Sequence, residues 1–428
     1  MTLIWRATPD RSVVYCKSEI KSQGVRPTMR LLVVMSHNPF PPRTGSTMVA
    51  FNTIKHLSPY HAIDFICLKP PEEPAEPPEF LKTYEFVCQR HVSWFGGIWR
   101  KVFYMLLGVP FSVSKLKSKE MNERVREVIE HGTFDAILLF DMRAIQYCPP
   151  SSYRKVVVNV EDPASIRLHR IIELPIWSLW QKLRILFVAK ITSIYETNTL
   201  PKMGKVLLLS EADMRDMQEQ AGYDNLGFVP YGVDQICEHN ILSYKERADG
   251  MIVFSGNMFH PPNVDGALHF LQNIFPVVLN EYPTAVLWIV GADPDIRVRE
   301  KALSFGEHVV VTGRVTDVLE YVGRAVVSVC PNRLNTGQQT KILEALSCGT
   351  PVVTTSAGNS AILGRSSREM WIEDDSNMFA RRVGALLRGE DWHRLSEQGR
   401  KLAVECFSWE QSAKALEQHI IGIQTTID

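Results

Sequence analysis

The sequence predicts an α/β protein of two doubly wound, Rossmann-like parallel sheets. Two observations carry this. Short β-branched apolar runs recur in two sets of five, each run separated from the next by a longer helical stretch, the pattern of βαβ units whose strands are buried on both faces. A polar, charged break near 227–249 parts the two sets.

Taken in order, the chain is polar and aperiodic over 1–28, which reads as an N-terminal extension without structure or as an upstream start. Strands follow at 31–35, 62–67, 136–140, 155–160 and 205–209. The acidic, Pro-rich stretch at 69–79 is too stiff and polar for an element and reads as a surface loop. The second set runs 251–254, 285–290, 308–311, 325–330 and 351–355. The expected domains are 29–240 and 241–405, with a hinge near 235–249 and a terminal helix over 406–428.

Residues 171–200 form the most apolar helical stretch, with Trp177, Trp180, Leu183, Phe187 and Ile191 at three-to-four spacing and Lys182, Arg184 and Lys190 between them. It reads first as a helix packed on the first sheet with its basic residues solvated, and second as one lying on a membrane surface.

Composition narrows the function classes. The 428 residues exclude a small disulfide-stapled scaffold, and 47 Lys and Arg against 47 Asp and Glu give no global pull toward nucleic acid. The eight cysteines include no CxxC pair and no Cys/His cluster at zinc spacing, as expected of free thiols in a reducing compartment. Neither a run of about 18 apolar residues nor a signal pattern is present, so a cytoplasmic protein is expected. No GxGxxG opening a helix, no Walker loop and no HExxH occurs, which excludes the common dehydrogenase, P-loop and zincin sites.

The most informative segment is PNRLNTGQQTKILEALSCGTPVVTT at 331–355. A strand ending at Cys330 leads into a polar loop with Gly337, then a helix from about Thr340 that carries Lys341 and Glu344. Free N–H groups and the positive dipole end at that helix start suit a diphosphate, to which Lys341 adds a point charge. Glu344, three residues on, is placed to accept from two vicinal ribose hydroxyls. The alternative is an ordinary i,i+3 surface ion pair.

TKILEALSCGTPVVTT resembles the donor-site signature of GT-B glycosyltransferases, specifically the retaining glycosyltransferase family 4 and its exopolysaccharide sugar-transferase branch. Other segments fall in the family's order: MRLLVVMSHNPFPPRTGSTMVAFNTIKHL, VLLLSEADMRDM, FVPYGVD, FSGNMFHPPNVDGALHFLQNIFPVV, VTGRVTDVLEYVGRA and CFSWEQSAKALEQHI. The resemblance spans about 29–420. It implies a GT-B fold whose two domains face a cleft, with a C-terminal helix crossing back to the first. It implies transfer of a sugar from a nucleotide-diphosphate donor to a hydroxyl of a glycan or lipid-linked acceptor, with no cofactor and no metal, and loose membrane contact through 171–190 at the inner face.

Residue by residue, Glu344 matches the second Glu of the family's E-x7-E motif, which binds the ribose, and Lys341 matches a branch Lys. The first Glu falls at Thr336, so Asn335, Thr336, Gln338 or the nearby backbone takes over the sugar hydroxyls. The stretch Gly256-Asn257-Met258-Phe259-His260 after the first donor-domain strand holds neither the Arg nor the Lys with which many members grip the diphosphate, leaving Lys341, helix dipoles and Arg333 or His260 to meet the phosphate charge. Gly45 matches the family's glycine loop, where a ligand approaches the backbone, with a plain turn glycine as the alternative. Arg314 and Val315 match the position whose backbone contacts the base.

For acid–base work, Asp162 matches a branch Asp on the acceptor side, and it could equally cap the following helix. His37, past the first strand, is the other candidate. The D-x-D triplet Asp293-Pro294-Asp295 reads as turn and cap chemistry rather than a metal site. Two rival readings are a nucleotide-sugar epimerase of the same architecture and a catalytically silent binding or scaffold protein.

Overall fold

The structure is a computed structural model, and it describes residues 28–42, 44–69, 76–88, 104–105, 107–233, 241–334 and 337–427. Nearly all of the expected N-terminal extension, most of the acidic loop and the first part of the hinge, 235–240, lie outside these residues.

The first sheet holds seven strands: β1 (Arg30–Met35), β2 (Ala62–Lys69), β3 (Thr83–Cys88), β4 (Ala136–Leu139), β5 (Val156–Glu161), β6 (Lys205–Leu208) and β7 (Leu226–Phe228). Their order is β3-β2-β1-β4-β5-β6-β7, and every pairing is parallel. The second sheet holds β8 (Ala248–Ser255), β9 (Val286–Val290), β10 (Val309–Gly313), β11 (Ala325–Cys330), β12 (Val352–Thr354) and β13 (Trp371–Ile372). Its order is β10-β9-β8-β11-β12-β13, again all parallel.

Helices on both faces explain the continuous apolar runs. Leu31, Val33 and Met35 of β1 join one core while Leu32 and Val34 join the core on the other face. Ile252 and Phe254 of β8 are parted from Met251 and Val253 in the same way. Strand order reverses at β1/β4 and at β8/β11, so each domain opens a crevice beyond the carboxyl ends of its central strands.

The chain returns to the first domain at its end. Helix Trp392–Cys406 lies on the second domain through Leu402 and Ala403, and Phe407 O then accepts from Val233 N at 2.7 Å. Helix Trp409–Ile427 crosses to the first domain, placing Trp409, Ala413, Leu416, Ile420 and Ile423 in its core at helical spacing. Gly232 makes this joint possible, because a Cβ there would strike the Trp409 ring. Buried His61 adds an ion-pair contact to Glu417 at 3.1 Å.

The stretch 171–200 departs from its first reading. It is broken: helix Ala164–Ile171 ends, a turn follows, and helix Leu179–Thr199 starts at Ser178, whose hydroxyl accepts from Gln181 N. Ala189, Ile191, Thr192 and Glu196 are buried, but Leu179, Trp180, Leu183, Leu186, Phe187 and Val188 are exposed, Trp180 at 82%. Only the second half of the helix packs on the domain.

The Trp409 ring packs on Tyr231 at 4.8 Å between centroids, tilted by 52°, and is 3% exposed. Trp409→Ala is expected to cost about 3–5 kcal/mol, read as a lower urea midpoint by circular dichroism. A change under about 1 kcal/mol would show that the crossover helix does not hold the domain.

Candidate functional site

The second-domain wall begins where β8, β9 and β10 end. Gly256 and Gly291 follow β8 and β9, and Gly313 ends β10, at φ 141°, 154° and 71°, conformations open to glycine. They are stitched together: Gly256 N donates to Val290 O at 3.0 Å and Gly291 N to Gly313 O at 3.2 Å. A Cβ at Gly256 would lie 2.9 Å from Asn263 Nδ2 and 3.4 Å from Lys341 Cε.

Helix Thr340–Ser347 starts beside this point, and its N-cap Gln339 makes no side-chain cap bond. Lys341 is 6% exposed, so the surface ion-pair alternative fails. Its Nζ donates to Asn263 Oδ1 at 2.5 Å and stands 4.8 Å from the Phe254 ring centroid. Asn332 Nδ2 reaches the same Asn263 oxygen at 3.3 Å and Gln339 Oε1 at 3.2 Å, while its own Oδ1 is buried without a partner. Burial lowers the Lys341 pKa, with Cys330 and Glu344 opposing. Burial raises that of Glu344, with Lys341 opposing. The two charges thus support each other through space inside one wall.

The first-domain wall is built from the ends of β1, β4 and β5. Ser36 Oγ donates to both Asp141 oxygens at 2.8 and 2.9 Å, and Arg143 Nε donates to Asp141 Oδ1 at 3.0 Å. His37 Nδ1 lies 3.3 Å from Arg143 Nη2 and 3.8 Å from Asp141. Burial lowers the His37 pKa more than Asp141 raises it. Asp162 accepts from Arg167 Nη1 at 2.9 Å. The capping alternative for Asp162 fails, since Pro163 is the N-cap residue and Glu196 accepts from Ser165 N at 3.3 Å.

The walls meet at Gly337, φ 61°, where a Cβ would sit 3.4 Å from Asp162 Cβ. Next to it, Gln338 Oε1 accepts from Tyr231 N at 2.8 Å, so this amide clasps the first domain. The structure therefore brings Asp162, Gly337, Gln338, Thr340, Lys341, Gly256 and Asn257 around one cleft. Asn257 turns its Oδ1 onto Phe259 N at 2.9 Å. Gly45 opens helix Gly45–Leu57, capped by Thr44, and a Cβ there would meet no atom within 4 Å. It is a helix-start residue rather than a turn glycine.

Arg314 is exposed and pairs with Asp293 at 3.6 Å, while Val315 packs on the second core. Asp295 caps helix Ile296–Leu303 and is gripped by Arg297 through both oxygens at 2.8 Å, as turn and cap chemistry requires. Thr336 and Asn335 lie outside the described residues. The two auxiliary phosphate candidates contribute little: Arg333 is neutralised by Asp265 at 2.9 and 2.5 Å. His260 is lowered to about 4 by its surroundings, then by Lys341 and Arg167, and is neutral at pH 7.

Sequence reasoning missed Asn263 and Asn332, which fix Lys341, and Asp141, Arg143, Glu161 and Arg167 in the opposite wall. Glu161 and Arg167 flank Asp162 in NVEDPASIR, so their nearness was readable; the rest have only their place after a strand as a signal.

Residues 249–389, within the second domain, match the family described as glycosyl transferases group 1. No curated protein sequence matches the chain. Among solved structures, sucrose-phosphate synthase from Thermosynechococcus elongatus is similar at TM-score 0.66 and 15% identity, covering 93% of this chain and 100% of that one. HepE from Anabaena in complex with UDP and glucose follows at 0.61 and 13%, covering 92% and 100%. A mutant of TarM from S. aureus, in complex with Fondaparinux, alpha-GlcNAc-glycerol and UDP, gives 0.62 and 10%, covering 92% and 100%. The fold is GT-B, two Rossmann-like domains facing a cleft.

Gly256→Ala would push a methyl into Asn263 and Lys341. It is expected to lower the melting temperature and to weaken binding of any anion at Lys341 by tenfold or more, on the order of 1.4 kcal/mol. Calorimetric titration with UDP, GDP, ADP and dTDP checks this, and unchanged affinity for one that binds would remove Lys341 from contact with the ligand.

Proposed function

We propose that this protein is a retaining, metal-independent glycosyltransferase that moves a sugar from a nucleotide-diphosphate sugar to a hydroxyl of a glycan or lipid-linked acceptor. One observation carries the reading: a buried ammonium, Lys341, stands in the first turn of a helix opening on the cleft, with Asn263 rather than a carboxylate as its hydrogen-bond partner. Such a charge fits an arriving anion. The group 1 match over the same domain and the UDP held by HepE and TarM support a nucleoside diphosphate as that anion.

In this reading the diphosphate lies against Gly256 and the start of helix Thr340–Ser347, and Glu344 accepts from the ribose hydroxyls. The bond from the sugar's anomeric carbon to the phosphate oxygen breaks, and the departing negative charge is met by Lys341 and the helix N–H groups. The acceptor oxygen forms its bond on the same face and passes its proton to the departing phosphate. No side chain acts as nucleophile. Asp295 caps its helix and is held by Arg297, which supports turn and cap chemistry for the D-x-D triplet. The cleft excludes water that would hydrolyse the donor.

The exposed apolar face of helix Leu179–Thr199, with Lys182, Arg184 and Lys190 beside it, fits the surface of an anionic membrane. Among the described residues no helix is long and apolar enough to cross one. A lipid-linked acceptor agrees with such a surface.

Thermal-shift titration with UDP, GDP, ADP and dTDP sugars tests the donor site. One base is expected to raise the melting temperature, stabilising by about 2.7 kcal/mol at a hundred times Kd. Glu344→Ala is expected to abolish the shift, and Lys341→Ala to abolish sugar transfer in folded protein. No shift with any of them would favour the silent-scaffold reading. For the membrane face, Trp180→Ser with Phe187→Ser is expected to abolish co-flotation with phosphatidylglycerol vesicles while leaving the nucleotide shift intact; flotation unchanged would discard the membrane contact.

A further inference from the structure

Glu161 ends β5 in the first-domain wall and is used by no step above. Three features set it apart. Its backbone takes φ 63°, a left-handed conformation that is strained for a residue with a Cβ. Its Oε1 is buried, with under 1 Å² accessible and no hydrogen-bond partner, although the residue as a whole keeps some exposure. Its pKa is pushed up to about 7, by burial first and then by Asp162, with Asp141 adding; a hydrogen bond from Ser46 and the charge of Arg167 pull it down. Asn159 Oδ1 accepts from Glu161 N at 3.0 Å, which holds the odd backbone turn in place.

A strained backbone and an unpartnered carboxyl oxygen at one residue are costs that packing does not recover. The charges around it are nearly matched: Arg143 pairs with Asp141 and Arg167 with Asp162. A protonated Glu161 completes that balance and offers an O–H donor at the unpartnered oxygen, the other oxygen taking the bond from Ser46, and a neutral hydroxyl satisfies that donor. An anionic group brought here would face three carboxyl groups with no unpaired cation to receive it.

Resting on the glycosyltransferase reading, we propose that Glu161 binds a hydroxyl of the transferred sugar, and that this sugar is uncharged. The residue acts on the sugar and not on the nucleotide, so it makes the protein hold a nucleotide sugar more tightly than the bare diphosphate. Glu161→Gln copies the donor and acceptor of the protonated carboxyl; Glu161→Ala removes both.

The test is calorimetric titration of wild type and both variants with UDP-glucose, GDP-mannose, ADP-glucose and UDP-glucuronic acid, each beside its free diphosphate, from pH 5.5 to 8.5. In wild type a neutral sugar is expected to add affinity over its diphosphate and glucuronic acid to add none. Glu161→Ala is expected to lose about tenfold of that sugar-specific gain with diphosphate affinity unchanged. Glu161→Gln is expected to keep most of it and to hold it constant across pH 7, where wild type changes.

Native Glu161 takes up its proton more readily than the unfolded chain, so it favours the fold at low pH, and that contribution is lost as pH rises from about 4.5 through about 7. Glu161→Gln is expected to remove this fall in melting temperature, which gives a readout free of ligand. An alanine variant with an unchanged sugar gain overturns the proposal, as does a glutamine variant that loses as much as alanine, or a preference for glucuronic acid. Diphosphate binding that still depends on Glu344 would then leave the transferase reading standing. Binding of no nucleotide at all would overturn both.

Discussion

The arrangement of the second domain depends on one buried ammonium. Moving a Lys side chain out of water costs several kcal/mol unless its charge is met. Around Lys341 the chain supplies an amide oxygen from Asn263, the face of Phe254 and the carboxyl of Glu344 one turn on. None of these is a bonded counter-ion. Asn332 steadies Asn263, and Gly256 withholds a side chain so that the ammonium has room. A transferase needs this state: a cation already dehydrated and aimed, whose missing partner is the charge that develops on a leaving diphosphate.

The opposing wall is useful only if it is held at a fixed distance, and the chain makes that joint in three places. Gln338 clasps the Tyr231 backbone, Phe407 O holds Val233 N, and the terminal helix inserts Trp409 beside Tyr231. All three converge on 231–233, close to where the chain leaves the first domain. A joint of this kind fixes the spacing of the walls at one end of the cleft, next to where Gly337 faces Asp162. Gly337 serves twice there, by taking a left-handed turn and by leaving space for the first domain.

Much of this was legible in the sequence. The ten expected strands are present because burial on both faces demands uninterrupted apolar runs, a signal that needs no tertiary information. The edge strands β3, β7 and β13 escaped: TYEFVC alternates and is half-exposed, while LGF and WI are too short to stand out. Lys341 and Glu344 were readable because helix spacing and a preceding loop define their setting. Asn263 and Asp141 were not, since each reaches the cleft only when distant strands are laid side by side. The exposed half of helix Leu179–Thr199 misled for a related reason, because apolar periodicity reports that a face is to be covered and not by what.

The two walls differ in chemistry, and the difference assigns their work. The second domain presents a cation whose counterpart must come from outside, next to a His260 kept neutral first by burial and then by that same cation. The first domain presents acids that are answered one by one, Asp141 by Arg143 and Asp162 by Arg167, leaving Glu161 to be neutral or to disturb the balance. In the proposed function the central, doubly anionic diphosphate of a nucleotide sugar matches the second wall, and its uncharged, polyhydroxylic sugar matches the first. Set on the first wall instead, the diphosphate would face three carboxyl groups and leave Lys341 unpaired. In the proposed function the charges therefore set the diphosphate on the second domain, and hydroxyl contacts at Glu344 and Glu161, rather than charge, tell the ribose from the transferable sugar.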